Sequence, residues 1–353
     1  MIHKYKLGGF NIVLDVNSGG VHIVDDLTYD MLDNIEPPFS EECPEDVVKK
    51  LSRFYSPEDI KTCYTEVTEL YNDKILFSED DYEKYADYSV ISPIKAMCLL
   101  ISQDCNLRCE YCFAETGDFG MGRKLMTFET GKKAIDFLLK MSANRENLEL
   151  DFFGGEPLMN FGVVKQVVEY ARSKEKEYNK KFRFTITTNG MLLDDDKIDF
   201  INREMSNVVL SVDGRKEVND RVRKRVDGTG CYDRIMPKFR NLVEKRGDKE
   251  YYVRGTFTKY NLDFSEDVFD LYHQGFDQIS VEPVVSDSKE KYAITEKEIP
   301  EIFSEYERLA ERILESRKNG EKFNFFHFML DLDQGPCAIK RLRGCGAGNE
   351  YVA

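Results

Sequence analysis

Cys105, Cys109 and Cys112 stand at spacing C-x3-C-x2-C within Asp104-Cys105-Asn106-Leu107-Arg108-Cys109-Glu110-Tyr111-Cys112. Thiolate is a soft ligand that suits iron–sulfur chemistry, and three thiolates this close together can each take one iron of a cubane cluster. A [4Fe–4S] cluster then keeps one iron without a protein ligand, free to chelate a small molecule, much as a catalytic zinc keeps an open position. The next cysteine is Cys231, so no near neighbour completes the set. Two plainer readings stay open on spacing alone: a zinc site completed by a distant histidine, and buried unliganded thiols. The familiar zinc spacings are C-x2-C pairs, which this is not. A disulfide scaffold suits short secreted chains, whereas this one has 353 residues and lacks a secretory signal.

These cysteines need a frame. They directly follow the apolar run 96–101, so they sit in the loop after a strand. From there β-rich runs and helical patterns alternate. Segments 96–102, 148–153, 182–187, 208–212, 251–257 and 278–284 read as strands. Segments 128–141, 161–176, 195–205, 232–246, 265–274 and 298–317 read as helices, the first with Ile135, Leu138 and Leu139 on one face. Such alternation makes a parallel sheet with right-handed crossovers. Six units fall short of eight, so the expected fold class is α/β, a partial (β/α)6 TIM-like barrel left open. In barrels of this kind function gathers at the C-terminal ends of the strands. Four phrases fall there: the cysteines after the first strand, Gly154-Gly155-Glu156-Pro157 after the second, Thr187-Thr188-Asn189-Gly190 after the third and Ser211-Val212-Asp213-Gly214 after the fourth.

Residues 1–87 read as a separate small unit. The β-rich runs 10–16 and 21–24 are joined by Asn17-Ser18-Gly19-Gly20, a hairpin signal. Helical patterns follow at 27–35, 44–54 and 57–70, the last with Ile60, Cys63, Tyr64, Val67 and Leu70 on one face. Strands followed by three helices predict a winged-helix-like α+β domain. The acidic, tyrosine-rich stretch 78–89 reads as a linker to the barrel, which spans 88–330. Net charge is −15, with acid spread along the chain, which argues against nucleic acid or an anionic membrane as partner. There is no apolar run of membrane-spanning length and no signal-peptide core, so the expected location is the cytoplasm. Nine cysteines, an odd number, suit reduced thiols and metal ligation. Cys43, Cys63, Cys98 and Cys231 lack partners at ligand spacing and read as ordinary thiols.

The cysteine triad with Tyr111 before its last member resembles the signature of radical S-adenosylmethionine (SAM) enzymes. The phrases after strands two to four resemble the branch that carries a SPASM extension. Nearly the whole chain, including Tyr251-Tyr252-Val253-Arg254-Gly255-Thr256-Phe257 and Phe326-His327-Phe328-Met329, is similar to the maturases of six-cysteine SCIFF peptides. The resemblance implies a [4Fe–4S] cluster on Cys105, Cys109 and Cys112 with SAM chelated at the open iron. It implies reductive cleavage of SAM to a 5′-deoxyadenosyl radical, and Cys-to-Thr thioether formation in a ribosomally made, cysteine-rich precursor. It also implies a one-electron reductant such as flavodoxin or ferredoxin, and a leader-peptide recognition role for residues 1–87, by strand addition to the hairpin edge.

The same resemblance gives the cofactor-facing residues their parts. Gly154, Gly155 and Pro157 let backbone approach the methionyl group, with Glu156 facing the SAM ammonium. Tyr111 belongs to the cluster motif. Thr187 and Asn189 line the third loop or simply cap it. Ser211 and Asp213 offer groups for ribose hydroxyls or the amino-acid end. Arg223 is a candidate for the SAM carboxylate, although it lies in the basic run Arg221 to Arg225 and also reads as a solvated arginine. Cys345, with Cys337 as a further candidate, resembles the start of an auxiliary-cluster region at 331–353. That region holds too few cysteines here, so it is expected to be truncated and its auxiliary clusters incomplete. His327, set among aromatics, reads as packed rather than catalytic. A SPASM-type activator that oxidises a residue of a protein such as a sulfatase is the alternative reading, and a fragment that retains only peptide binding is another.

Overall fold

The computed structural model describes residues 1–85, 92–330, 332, 344 and 346–353. The described residues form two compact units, one of 1–85 with 330, 332, 344 and 346, the other of 92–329 with 347–353. Cys337, Cys345 and most of the expected auxiliary-cluster region lie outside the described residues.

The N-terminal unit is a three-stranded antiparallel sheet, β1 (Ile2–Leu7), β2 (Phe10–Asp15) and β3 (Val21–Val24), then α1 (Asp26–Met31), α2 (Glu45–Leu51) and α3 (Pro57–Asn72). The turn 17–20 joins β2 to β3 as the sequence predicts. Strand β1 is an addition. Its lysines alternate with apolar residues, a pattern that suits an edge strand but is weak as a signal. Helix α3 starts at Ser56, whose hydroxyl accepts from the Asp59 amide, with Pro57 in the first turn. Ile60, Cys63, Tyr64 and Val67 pack with Val13, Met31 and Leu76 in a core of the unit's own. The first part of the expected linker is docked on this unit. Asp15 accepts from the amide and hydroxyl of Ser78, and Tyr82 donates to the Asn17 carbonyl.

The second unit is built on a nine-stranded sheet. Its strands in chain order are β4 (Ala96–Gln103), then β5 (Leu107–Cys109) outside the main sheet, β6 (Lys124–Leu125), β7 (Asn147–Gly154), β8 (Lys181–Thr188), β9 (Asn207–Ser211), β10 (Arg223–Arg225) paired with β5, β11 (Tyr252–Phe257), β12 (Gln278–Pro283), β13 (Asn324–Phe325) and β14 (Tyr351–Val352). The order across the sheet is β13-β12-β11-β9-β8-β7-β4-β14, parallel throughout, with β6 antiparallel on β4. Helices α4 (Phe128–Met141), α5 (Phe161–Tyr178), α6 (Asp195–Glu204), α8 (Tyr232–Arg246), α9 (Phe264–His273) and α10 (Ile299–Lys318) alternate with the strands, and the short α7 (Lys216–Val222) precedes β10. This is an α/β fold with an open parallel sheet.

One face of the sheet is dry. Phe152, Phe184, Ile186, Leu210, Val253 and Val281 are fully buried in the core with Ile135, Val167 and Phe239 of the helices. Burying each side chain stabilises the fold by about 1.5–3 kcal/mol. The alternate residues of the same strands, such as Thr185, Thr187, Ser211, Arg254 and Glu282, point to the other face and stay half-buried or exposed. A fully covered parallel sheet reads as continuous apolar runs. The alternation here marks the second face as the wall of a site.

Candidate active site

The cysteine loop hangs between the ends of two distant elements. Strand β5 pairs antiparallel with β10, placing Cys109 opposite Arg223, and the Glu110 amide donates to the Val222 carbonyl. Within the loop the Asp104 carboxylate accepts from the Cys105 amide at 2.8 Å, and the Arg108 guanidinium donates to the carbonyls of Cys105 and Leu107. The Asn189 amide group reaches across from the end of β8, donating to Asn106 Oδ1 at 2.8 Å and to Cys105 Sγ at 3.6 Å. The glycine pair is a packing necessity. A Cβ on Gly154 would meet the Ser102 carbonyl oxygen at 2.2 Å, and one on Gly155 would meet the Asp104 carbonyl oxygen at 2.3 Å. Gly154 also holds φ +125°, a conformation open to glycine alone.

All three thiols are half-buried and free. Burial pushes Cys105 up to about 11 and Cys109 up to about 12. Unliganded, both are therefore neutral at pH 7, and metal binding must displace their protons. The three thiols lie close enough to perturb one another electrostatically. Among the described residues no three His, Cys, Asp or Glu side chains converge as they would on a single metal ion. A cubane takes one thiolate per iron, so its ligands stand wider apart than those of one ion, and the triad fits that pattern.

The acidic residues of the motifs are committed within the protein. Glu156 is 0 % exposed. One of its oxygens accepts from the Thr188 hydroxyl at 2.8 Å and the Leu158 amide at 3.0 Å, and the other from the Asn189 amide at 2.8 Å. Rather than facing a ligand, Glu156 ties the second loop to the third, and burial raises its pKa. Asp213 is also 0 % exposed. Both its oxygens accept from the Tyr111 hydroxyl, at 2.7 and 2.8 Å, and Oδ1 also accepts from the Thr256 amide. The ribose role expected of Asp213 thus gives way to a brace. Arg223 donates to the Tyr111 oxygen at 2.9 Å and lies 3.8 Å from Asp213. It is 8 % exposed, so the solvated-arginine reading does not hold, while its neighbour Lys224 is exposed. Its Nε is buried without a hydrogen-bond partner among the described residues. An orphaned buried donor costs about 1–3 kcal/mol.

Of the remaining expected residues, Pro157 is buried and opens a short turn after Glu156, while Thr187 and Ser211 sit on the open face of β8 and β9. Thr188, the residue beside Thr187, makes the bond to Glu156. His327 is not merely packed. Its Nδ1 bonds the Tyr306 hydroxyl and its Nε2 the Glu282 carboxylate, each at 2.8 Å. Glu282, Arg254 and Asn160 went unread in the sequence. Asn160 joins two segments by donating to the carbonyls of Ile101 and Met126. Period-2 alternation in 251–257 and 278–284 was the signal that could have placed Arg254 and Glu282 on the open face.

The site fits an iron–sulfur cluster with SAM: three thiols on one strapped loop and a glycine cradle beside them. Residues 99–266 match the Radical SAM superfamily. The chain is 29% identical over 156 residues to a cysteine-type anaerobic sulfatase-maturating enzyme of Clostridium novyi, covering 42% of this chain and 41% of that one. It is 26% identical over 191 residues to the radical SAM cyclopropyl synthase TigE of Paramaledivibacter caminithermalis, covering 51% and 37%. The matched segment thus spans less than half the length of either relative. The solved structure of native anSMEcpe with bound AdoMet superposes with TM-score 0.59 at 20% identity, over 67% of this chain and 65% of that one. Among the described residues no helix is long and apolar enough to cross a membrane. Over residues 99–266 the chain thus matches a radical SAM domain, a type that uses a [4Fe–4S] cluster and SAM, and the relatives it resembles include anaerobic sulfatase maturases.

Proposed function

We propose that this chain is a radical SAM peptide maturase that installs thioether crosslinks between cysteine sulfurs and threonine carbons of a cysteine-rich precursor. When bound, the cluster and SAM supply a 5′-deoxyadenosyl radical that removes hydrogen from an unactivated carbon. The chain's own part is to hold and shield. Cys105, Cys109 and Cys112 hold three irons. Backbone at Gly154 and Gly155 lets the methionyl group approach, and Ser211 with Arg223 meets its polar end. Tyr111 and Asp213 keep Arg223 in place, and Glu156 with Asn189 fixes the surrounding loops. Residues 1–87 bind the leader of the precursor, and a one-electron reductant such as flavodoxin or ferredoxin delivers the electron.

The observation that carries the peptide half is the outer edge of β3. Among the described residues it pairs with β2 on one side only, and Val21 and Ile23 are 40 % and 69 % exposed. An extended peptide that adds a strand there gains backbone hydrogen bonds and apolar cover together. The test uses a short cysteine-rich peptide encoded beside the gene. Removing residues 1–87 is expected to weaken its binding strongly while SAM cleavage without peptide persists. Equal affinity with and without those residues would place recognition elsewhere. The similarity to the Clostridium novyi enzyme favours one other reading, oxidation of a residue in a protein substrate. Fragmentation mass spectrometry separates the two, since a thioether leaves cysteine sulfur joined to a threonine carbon in one crosslinked fragment.

A further inference from the structure

Arg254 stands on the open face of β11, in register with Ser211 of β9 and Ser280 of β12. Residues in register across a parallel sheet point to the same side, so its guanidinium rises between two hydroxyls, level with Ser211. Its side chain is exposed, and among the described residues that side chain has neither a hydrogen bond nor an ion pair. Carboxylates are not scarce, since the chain has 65 acidic residues against 50 basic ones. The one nearest in the lattice of strands is Glu282, which is in register with Thr256 one pleat further along. Its oxygens are already engaged. Oε1 accepts from the Ser280 hydroxyl at 2.6 Å, and Oε2 meets His327 Nε2 at 2.8 Å, with Tyr306 behind His327. The charge of Arg254 is felt at Glu282, but the two do not pair. The Tyr306–His327–Glu282 chain thus holds off the carboxylate that would otherwise neutralise this arginine.

We propose that Arg254 is a substrate-binding residue that takes a carboxylate of the peptide, the side chain of an aspartate or glutamate near the reacting residues. The inference rests on the peptide reading above. Arginine suits the task because its planar fork meets both oxygens of a carboxylate at once. SAM has a carboxylate too, but in the function proposed above it is assigned to Arg223, on the cysteine-loop side. Arg254 is left for the second reactant. Ser280 steadies Glu282 and so keeps the guanidinium unpaired.

The test uses the full chain, reconstituted anaerobically and loaded with SAM. Its probes are two fluorescein-labelled synthetic peptides of cysteine, threonine, serine and glycine, one with a single glutamate and one with glutamine in its place. The wild type is expected to bind the glutamate peptide about tenfold more tightly, the effect of one charge-assisted hydrogen bond. Arg254→Gln should abolish that preference, Arg254→Lys should keep part of it, and SAM affinity should be unchanged in both. Because the side chain is exposed, the melting temperature should not move, so a folding defect cannot imitate the result. A preference that survives in Arg254→Gln would overturn the inference. Loss of SAM affinity in its place would assign the arginine to SAM and overturn it too. Equal binding of both peptides by the wild type would overturn it while the peptide reading stands, and binding of neither would overturn it as well.

Discussion

The two sides of the open face of the sheet treat their charged groups in opposite ways. On the cysteine-loop side, Glu156 and Asp213 are fully buried and every oxygen is taken by protein. On the β11–β12 side, the Arg254 side chain is exposed and unpaired among the described residues, and Glu282 and His327 are half-buried. Residues of a recognisable motif are often assumed to touch the ligand. Here most of the polar motif residues build the cradle, and ligand-facing capacity is left at the few atoms whose valence the protein does not fill.

The largest effect expected is on the cluster. Replacing Cys105, Cys109 or Cys112 by Ala removes one iron ligand of three. Each variant should lose most of the roughly four irons per chain expected of one [4Fe–4S] cluster, and with them all formation of 5′-deoxyadenosine. Full SAM cleavage in any of the three would sink the assignment. The fold should survive, since the loop is also strapped by the β5–β10 ladder.

A smaller effect sharpens the contrast between the sides. Tyr111→Phe deletes one hydroxyl and leaves the ring. It breaks the bonds to Asp213 and from Arg223, leaving a buried carboxylate with one donor fewer. The cost should be about 1.5–3 kcal/mol, as for a hydrogen bond to a charged group. Arg254→Gln, on the exposed side, should stay within about 0.5 kcal/mol of the wild type. Chemical denaturation of the two variants measures both. Equal losses would mean that the two sides are built alike.

Much of the frame was legible in the sequence. Helices α4 and α8 begin and end where the apolar periodicity places them, and the six main strands agree within a residue or two. Those runs are decided locally, by which residues cannot stay in water. The site was legible as loops but not as bonds. Tyr111 and Asp213 are 102 positions apart, and no local pattern announces a contact made by the closing of a sheet. The strap of α7 and β10 was missed for a related reason. It is too short to show periodicity, and its Arg223 looks solvated until β10 folds onto β5. Thr187 and Thr188 show the limit most simply, since adjacent residues on a strand face opposite sides and only register says which one meets Glu156.

The smallest effect is one of sign, and it divides the two sides by pH. Burial raises the pKa of Glu156, and the hydrogen bonds that it accepts do not reverse this. At Glu282 burial also pushes upward, but Ser280, His327 and the nearby charge of Arg254 outweigh it, and its pKa is lowered. A free glutamate titrates near about 4.3. For Glu282 the unfolded chain holds the proton more tightly than the folded one. Its contribution to stability is therefore complete above about pH 4.3 and is lost as pH falls through the lowered folded value. For Glu156 the folded chain holds the proton more tightly, so its contribution is complete below about pH 4.3 and is lost as pH rises through the raised value. Melting temperatures of the wild type, Glu156→Gln and Glu282→Gln across the acid range read this out. The gap between wild type and Glu282→Gln should widen as pH rises, and that for Glu156→Gln should narrow. The same slope for both would mean that Glu156 is not held in the dry, closed setting that distinguishes its side of the site.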